Sequence, residues 1–257
     1  MKRVMAKIIC VTNQKGGVGK TTTTVNLASC LAALEKKTLL VDMDPQGNST
    51  SGVGLDKNDC DPNIYPVLMG EAEIGEAIRP TEMKKLFCVP SNGHLTGAEV
   101  ELVGMEDREN RLKRALASVE KDFSFILIDC PPSLGFLTLN ALTAAQSVLI
   151  PVQSEYYALE GLSSLMETVE RVRETFNPQL EIEGALLTMY DSRTRLSSQV
   201  SEEVRKFFGE KVYNTVIPRN VQLSESPSFG KPIILYDIRS TGAQAYLNLT
   251  KEIVAHE

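Results

Sequence analysis

The chain has 257 residues, of which 42% are hydrophobic and 23% are charged, and its formal net charge is −6. This length and balance predict one large soluble domain over residues 1–257 and argue against a disordered chain. The negative charge argues against a surface that is basic all over, so any contact with nucleic acid has to come from a local patch.

The cysteines and the N-terminal residues indicate a cytoplasmic protein. The five cysteines, Cys10, Cys30, Cys60, Cys88 and Cys130, are scattered and form no C-x-x-C pair. This pattern is typical of reduced core residues and not of disulfides or metal ligands. The N-terminal apolar run stops after Val11, so no signal peptide is expected. No apolar stretch approaches the roughly 18 residues of a membrane-spanning helix.

The first predicted elements are a strand, a glycine-rich loop and a helix. The β-branched run at 8–11 predicts the strand, and apolar residues at helical spacing predict a helix from about Gly19 to Glu35. A glycine has no Cβ to keep a phosphate away from the backbone. The loop contains three of them: Gly16, Gly17 and Gly19.

Lys20 and Thr21 open the predicted helix, where free backbone N–H groups and the helix dipole favour an anion. In the P-loop pattern G-x-x-x-x-G-K-[ST], the lysine reaches the β- and γ-phosphates and the hydroxyl holds Mg²⁺. Lys20 and Thr21 fit these roles. Because Gln14 replaces the first glycine and Lys15 follows it, the sequence predicts a deviant form of this loop.

Two further predicted strands end in carboxylates. The strand Thr38–Asp44 places Asp42 and Asp44 on the same side of its end. The apolar strand Phe123–Asp129 has the Walker B pattern, in which the final aspartate helps to hold Mg²⁺. Carboxyl ends of strands beside a phosphate loop are where ligand chemistry is usually found. Asp129 is therefore the metal-side candidate.

The remaining elements alternate between strands and helices. A loop with short helices and little function is predicted from Pro45 to about Pro80. The alternation predicts an α/β fold with a doubly wound, mostly parallel sheet flanked by helices. Its further elements are a strand Leu86–Pro90, a helix near Arg108–Lys121, a strand Ser147–Val152, a helix from about Leu159 to Phe176, a strand Ile182–Tyr190, a helix near Leu196–Phe208, a strand Val212–Ile217 and a helix near Gly242–Ala255.

Several motifs in this order resemble the ParA/Soj group of the ParA–MinD ATPases, which are P-loop NTPases. They are KGGVGKT at 15–21, DMDPQGN at 42–48, IDCPPSLG at 128–135, PVQSEYYALEGL at 151–162, IPRNVQLSE at 217–225 and GKPIILYD at 230–237. The resemblance extends almost from end to end. It implies an ATPase that uses ATP and Mg²⁺.

The resemblance also implies roles for the carboxylates and for Lys15. Asp44 orients or activates the attacking water, Asp42 supports the switch region and is a weaker metal candidate, and Asp129 acts on the metal through water. The lysine matching Lys15 reaches across a dimer to the partner's nucleotide, so the expected catalytic residues are Lys15, Lys20 and Asp44. The alternative role of Asp42 and Asp44 is that of strand-end caps.

Two segments are expected to bind the nucleotide. The phosphate-loop residues are Lys15, Gly16, Gly17, Val18, Gly19, Lys20, Thr21 and Thr22. By resemblance, Pro218, Arg219 and Asn220 belong to a loop that borders the base. The alternative for this second segment is a purely structural proline turn.

A local excess of basic residues lies between Arg193 and Arg219, with six basic against three acidic residues. Clustered Lys and Arg bind a phosphate backbone without sequence preference, and two such patches in a dimer make the binding bivalent. Many relatives have an arginine where this chain has Gln222, which puts one contact in doubt, and a solvated helix face is the alternative. The predicted DNA-binding residues are Arg193, which matches a basic family position, and Arg195, Lys206 and Lys231.

The resemblance implies a switch enzyme that segregates a chromosome or plasmid. ATP is expected to form a homodimer that binds double-stranded DNA non-specifically on the nucleoid, and a ParB-like centromere-binding protein is expected to accelerate slow hydrolysis. A MinD-like membrane switch is one alternative, but Leu247–Glu257 carries one lysine against two glutamates, so no stable membrane anchor is expected. Another alternative is a relative that positions a protein cargo. The iron–sulfur reductases that share the loop need cysteine ligands, for which this chain offers no clear set.

Overall fold

Seven strands form one sheet in the computed structural model, which describes residues 5–155 and 160–255, without the side chains of residues 160 and 161. The strand order is β3-β4-β2-β5-β1-β6-β7, and all neighbours are parallel except β3 and β4. The strands are β1 (Lys7–Val11), β2 (Thr38–Asp42), β3 (Arg79–Pro80), β4 (Leu86–Val89), β5 (Phe125–Asp129), β6 (Ser147–Gln153) and β7 (Glu181–Thr188).

Helices connect the strands and lie on both sides of the sheet. The α-helices of the described residues are α1 (Lys20–Ala33), α2 (Asn48–Gly52), α3 (Ile64–Met69), α4 (Ile74–Ala77), α5 (Leu95–Glu101), α6 (Arg111–Ala117), α7 (Phe136–Ala144), α8 (Glu160–Thr175), α9 (Arg195–Phe208), α10 (Val221–Glu225), α11 (Ile233–Tyr236) and α12 (Thr241–Ala255). Within the same residues, no helix is both long enough and apolar enough to cross a membrane.

The core has two halves, one on each face of the sheet. Along β1, Ile8 and Cys10 pack on one face with α6, α7 and α8, whereas Ile9 and Val11 pack on the other with α1 and α12. This division follows from the two-residue period of a strand. Burial on both faces also explains the nearly continuous apolar runs of the central strands. The predicted doubly wound, mostly parallel α/β sheet is confirmed.

The predicted strand Val212–Ile217 is wrong. An isolated bridge pairs Val212 with Ala185 of β7, and a second pairs Pro218 with Tyr190, beyond the end of β7. Between them, the backbone N–H groups of Asn214 and Thr215 donate to the Glu252 carboxylate of α12, at 2.7 and 3.1 Å. Because these donors are satisfied by a helix side chain, they do not continue a ladder with β7.

Other elements differ from the predictions mainly at their ends. β2 stops at Asp42, so Asp44 lies in the following loop. The helix predicted near Arg108–Lys121 is divided into α6 and a short 3₁₀ helix at Glu120–Asp122. The sequence did not predict β3, α5, α7, α10 or α11. The helix start predicted at Leu159 lies outside the described residues. The structure describes α8 from Glu160 onward.

Candidate phosphate-binding site

The loop between β1 and α1 is open on the side where an anion is expected. Gly17 and Gly19 have φ angles of 73° and 86°, a region that favours glycine. A Cβ added at Gly16 or Gly17 would meet no heavy atom within 4 Å. Asn13 holds the loop, since its Nδ2 donates to the Pro151 carbonyl at 2.8 Å and its Oδ1 accepts from the loop backbone. The loop is therefore a fixed cradle with free space inside.

Lys20 contributes the positive charge of this cradle. It is buried at the first position of α1, and its Nζ donates to the Lys15 carbonyl across the loop at 3.0 Å. Burial lowers the pKa of Lys20, while the nearby negative charges of Asp129 and Asp44 oppose that shift. An anion placed in the loop would supply the closer counter-charge that this ammonium lacks.

Asp129 ends β5 directly beside the phosphate loop and is fully buried. Its Oδ2 accepts from the Thr21 hydroxyl at 2.8 Å and from the Ser49 hydroxyl at 2.7 Å, and its Oδ1 lies 3.1 Å from the Thr24 hydroxyl. Burial raises the pKa of Asp129 against the effect of these hydrogen bonds. The structure thus brings Thr21 and Asp129 together, as the Mg²⁺ prediction requires.

Asp42 lies opposite Asp129 in the register of β2 and β5 and is also fully buried. Its carboxylate accepts from the Thr50 N–H and hydroxyl, both at 2.8 Å, and from the Asp44 N–H at 3.1 Å. Burial, followed by the charge of Asp129, raises the pKa of Asp42. All three bonds tie Asp42 to the backbone and side chains of segment 44–50, which is the arrangement expected of a residue that supports this segment.

Asp44 lies beyond the end of β2 and keeps one oxygen for a ligand. Its Oδ1 accepts from the Gln46 N–H at 2.9 Å, and its carbonyl accepts from the Ser91 hydroxyl at 2.7 Å. Its Oδ2 accepts no hydrogen bond from the described residues. The capping alternative therefore accounts for one carboxylate oxygen and leaves the other available to a water.

The donor set beside the loop fits a magnesium ion. Mg²⁺ in phosphate sites is held by one or two protein oxygens together with phosphate and water oxygens, not by a full protein cage. The Thr21 hydroxyl and the Asp129 carboxylate are hard oxygen donors of this kind, and Ser49 adds a third oxygen to the same cluster. These residues would hold the ion.

A cavity of about 240 Å³ adjoins the loop at the predicted base site. Pro218, Arg219 and Asn220 line it together with Thr188 and Thr22. The Asn220 side chain also accepts from Leu223 N–H, so it caps α10 as well. The structure therefore places the three predicted base-loop residues beside the phosphate loop, where they line a cavity.

The Lys15 side chain points away from the loop of its own chain. Its Nζ lies 4.0 Å from a Glu155 carboxylate oxygen, and Arg219 approaches the other oxygen of the same carboxylate at 3.5 Å. These three side chains are partly exposed. Within the described part of the chain, Lys15 thus contributes its backbone to the cradle and leaves its ammonium at the surface.

The predicted DNA-binding residues fall into two groups. Arg193 and Lys206 are held by neighbouring acids, since Arg193 forms two bonds to Asp191 at 2.9 and 2.7 Å and Lys206 lies 2.6 Å from Glu203. Arg195 is exposed at the start of α9, and Lys231 is exposed beside a second cavity that α1 and α2 line. Both make no ion pair with the residues that the structure describes.

Several residues of the site were missed by the sequence analysis. The stretch from Pro45 to Pro80 was expected to have little function, but its Ser49 and Thr50 bond to the two buried carboxylates. Thr188, at the end of β7, donates to the Val18 carbonyl at 2.9 Å and so connects the loop to the base cavity. Small hydroxyl residues directly after DPQGN were the available signal.

Known proteins resemble the chain along nearly its whole length. A family model described as an AAA domain matches residues 6–182. The sporulation initiation inhibitor protein Soj of Bacillus subtilis is 59% identical, over 98% of this chain and 100% of its own length. The chromosome partitioning protein ParA of Myxococcus xanthus is 55% identical, over 98% and 89%. The structure of cobyrinic acid a,c-diamide synthase from Mycobacterium smegmatis, with bound ATP analogue and magnesium, is 37% identical with a TM-score of 0.86, covering 98% of this chain and 95% of its own.

The two relatives share more than half of their aligned residues with this chain. The family model covers more than half of its length, and the matched region contains the phosphate loop and both buried carboxylates. The chain therefore belongs to the ParA–MinD family of P-loop ATPases.

Proposed function

We propose that the chain hydrolyses ATP with Mg²⁺ and that its ATP-bound dimer binds DNA non-specifically to segregate a chromosome or plasmid. The observation that carries the ATPase part is the joining of Thr21 to Asp129 beside an open phosphate loop. The partitioning part is supported by the relatives named Soj and ParA. The bound ATP analogue and magnesium of the solved relative support the choice of cofactors.

The chain's own residues divide the chemistry among them. Lys20 and the loop N–H groups neutralise the phosphates. Thr21, together with Asp129 acting through water, would hold Mg²⁺, which would supply further positive charge there. Asp44 orients or activates the attacking water through its free oxygen. Phosphoryl transfer depends mostly on positioning and electrostatics, so these groups act together with Lys15, whose ammonium reaches the partner's nucleotide in the dimer.

The dimer is supported by the position of Lys15. Its ammonium lies at the surface near Glu155 and does not enter its own loop. If a second copy faced this surface, the Lys15 ammonium of the first copy would lie at the nucleotide of the second. ATP would then hold the dimer together, and its hydrolysis would release the two chains.

The DNA surface is supported by the exposed side chains of Arg195 and Lys231, and Arg193 and Lys206 join them once DNA phosphates compete with their acidic partners. We further propose that a ParB-like centromere-binding protein accelerates hydrolysis and that the protein acts in the cytoplasm on the nucleoid. No stable membrane anchor belongs to this proposal.

The test is binding to a non-specific DNA duplex with ATP and Mg²⁺ against ADP and Mg²⁺, at low and moderate salt. We expect ATP-dependent, salt-sensitive binding that is lost in Lys20→Ala and in Lys15→Ala, the second because it does not dimerise. Arg195→Ala should weaken binding and flatten its salt dependence. Lys84→Ala, which removes another exposed lysine, is the matched control and should bind normally.

Two results would contradict the proposal. If Lys15→Ala dimerises and hydrolyses ATP normally, the dimer model is wrong. If the protein hydrolyses ATP but binds DNA in no condition, the function is that of a MinD-like or other cargo-positioning ATPase.

A further inference from the structure

The loop 130–135 follows Asp129 directly and leads into α7, so the start of α7 fixes one end of this loop. Gly135 is the residue before α7 and has no side chain to cap it. The first N–H groups of a helix need acceptors from elsewhere. At α7 they come from a different helix, α5.

Glu99 of α5 supplies both acceptors. Its Oε2 accepts from the Phe136 N–H at 2.8 Å and its Oε1 accepts from the Leu137 N–H at 3.3 Å. The carboxylate is so close that a Cβ added to Gly135 would lie 2.4 Å from Oε1 and 2.5 Å from Oε2. A residue with a side chain at position 135 would therefore collide with the Glu99 carboxylate.

The segment after α5 also holds α7. The Arg108 guanidinium lies over the Phe136 ring, 4.8 Å from its centroid. The Asn140 side chain donates to the Arg108 carbonyl at 2.7 Å and accepts from the Leu112 N–H at 3.1 Å. The first turn of α7 is therefore fixed from the side by residues 99–112.

One further hydrogen bond connects the first turn of α7 to the loop 130–135. The Thr138 hydroxyl, in the first turn of α7, donates to the Ser133 carbonyl at 2.6 Å. At its other end the loop continues from Asp129, and the Cys130 N–H donates to the Val11 carbonyl at 3.3 Å, beside the phosphate loop. The hydrogen bonds from Glu99 reach Ser133 through α7, and the backbone of residues 130–132 connects Ser133 to Asp129.

We propose that Glu99 is a positioning residue for ATP hydrolysis, which fixes the loop 130–135 and through it the carboxylate of Asp129. It acts through α7 and touches neither the phosphate loop nor the base cavity. The proposal rests on the proposed ATPase function. It assigns a role in hydrolysis to a helix that lies outside the nucleotide site.

The first test compares Glu99→Ala and Glu99→Gln with Glu101→Ala, which removes a carboxylate from the same helix. In Glu99→Ala we expect kcat for ATP hydrolysis to fall about tenfold and KM for ATP to change less than about twofold, because the binding residues are untouched. Glu99→Gln keeps one acceptor oxygen and should lie between Glu99→Ala and the wild type. Glu101→Ala should behave as the wild type.

A second readout needs no hydrolysis. Amide hydrogen exchange of residues 130–137 in the nucleotide-free chain should become about tenfold faster in Glu99→Ala, while exchange in β1 and α1 stays unchanged. If Glu99→Ala lowers the melting temperature but keeps wild-type kcat and wild-type exchange over 130–135, Glu99 is a helix cap and the proposal is wrong. If no variant and no wild type hydrolyses ATP, the proposed function fails, and exchange still decides whether Glu99 fixes the loop.

A double-mutant cycle approaches the same contact from the other side. Gly135 has φ −84°, which alanine adopts without strain, so Gly135→Ala disturbs the site mainly by pushing against Glu99. We expect Gly135→Ala to lower kcat in the wild type and to have little further effect in Glu99→Ala. Additive losses would show that the two residues act separately and would overturn the proposed contact.

Discussion

The two ends of the sheet treat buried charge in different ways. At the carboxyl ends of β2 and β5, Asp42 and Asp129 are bonded to hydroxyls and backbone N–H groups, and no cation of the described residues forms an ion pair with them. At the amino ends of β1 and β7, the Glu183 carboxylate accepts from the Lys7 Nζ at 2.7 Å and from the Ser147 hydroxyl at 2.6 Å. One end leaves its buried carboxylates without an ion pair, although Asp129 lies near Lys20, and the other pairs its carboxylate directly with a lysine.

This difference separates function from stability. Burial without an ion pair disfavours the charged form of a carboxyl group, which is why the pKa of both aspartates is raised. A fold retains such a cost where a ligand supplies the missing positive charge, and Mg²⁺ is that ligand in the proposed reaction. The amino end has no such ligand in the proposal, and its ion pair serves the native state alone.

The largest expected effect is that of Asp129→Asn, which removes the charge and keeps the shape. The asparagine oxygen accepts from Thr21 and Ser49, and its NH₂ donates to Thr24, whose hydroxyl also lies 2.9 Å from the Lys20 carbonyl. We expect kcat for ATP hydrolysis to fall by at least about 100-fold. The melting temperature without Mg²⁺ and nucleotide should stay equal or rise, because a buried charge is lost.

Glu183→Gln is the matched control at the opposite end. It should leave kcat unchanged and reduce the free energy of unfolding by about 1–2 kcal/mol, a value discounted for the partial exposure of Lys7. The comparison between the two ends fails if Asp129→Asn melts well below the wild type, or if Glu183→Gln loses hydrolysis at room temperature.

An effect confined to stability is expected at Gly184 near the start of β7. A Cβ at this residue would lie 2.7 Å from the Tyr213 ring and 3.0 Å from the Lys211 carbonyl, neither of which is a flexible side-chain end. Gly184→Ala should therefore cost about 2–3 kcal/mol of unfolding free energy in a urea titration, with unchanged kcat. Gly75→Ala in α4, where a Cβ meets nothing within 4 Å, is the control and should stabilise slightly. Equal stability of the two variants would contradict the packing argument.

The sequence predicted those parts of the fold and site that depend on local pattern. The β-branched run at 8–11, the glycines and Lys20 identify the phosphate loop because each residue acts through its immediate neighbours. Apolar runs likewise identify the parallel strands that are buried on both faces. The strand-end pattern selected Asp44, and the resemblance to the family added its role toward the water and the base loop.

The missed features depend on contacts between distant segments. Ser49 reaches Asp129 across 80 positions, and Glu99 reaches α7 across nearly 40. No periodicity records such contacts. The segment 212–217 is apolar enough for a strand, but the N–H groups of Asn214 and Thr215 in its middle donate to Glu252 of α12. In each case a side chain brought by the tertiary fold decides the outcome.

The last expected effect is a pH dependence of the free energy of unfolding. It tests whether the buried carboxylates cause the difference between the two ends of the sheet. The native pKa values of Asp42 and Asp129 lie above the ordinary value of 3.8, so above that value the native chain holds protons that the unfolded chain has released. The free energy of unfolding therefore falls as pH rises through this window. Asp129→Asn removes one such group and also the charge that raises the pKa of Asp42. Its slope should be shallower by about 1.4 kcal/mol per pH unit for each proton that the native chain no longer retains.

The measurement is urea unfolding from about pH 5 to about pH 7 with a chelator and without nucleotide. Asp59→Asn, which removes an exposed carboxylate, is the control and should keep the wild-type slope. If the free energy of unfolding has the same pH slope in wild type and Asp129→Asn, the two aspartates do not bind protons more tightly in the native chain than in the unfolded chain. Burying the two carboxylates without an ion pair would then not lower the free energy of unfolding. Mg²⁺ binding would in that case remove no such destabilisation.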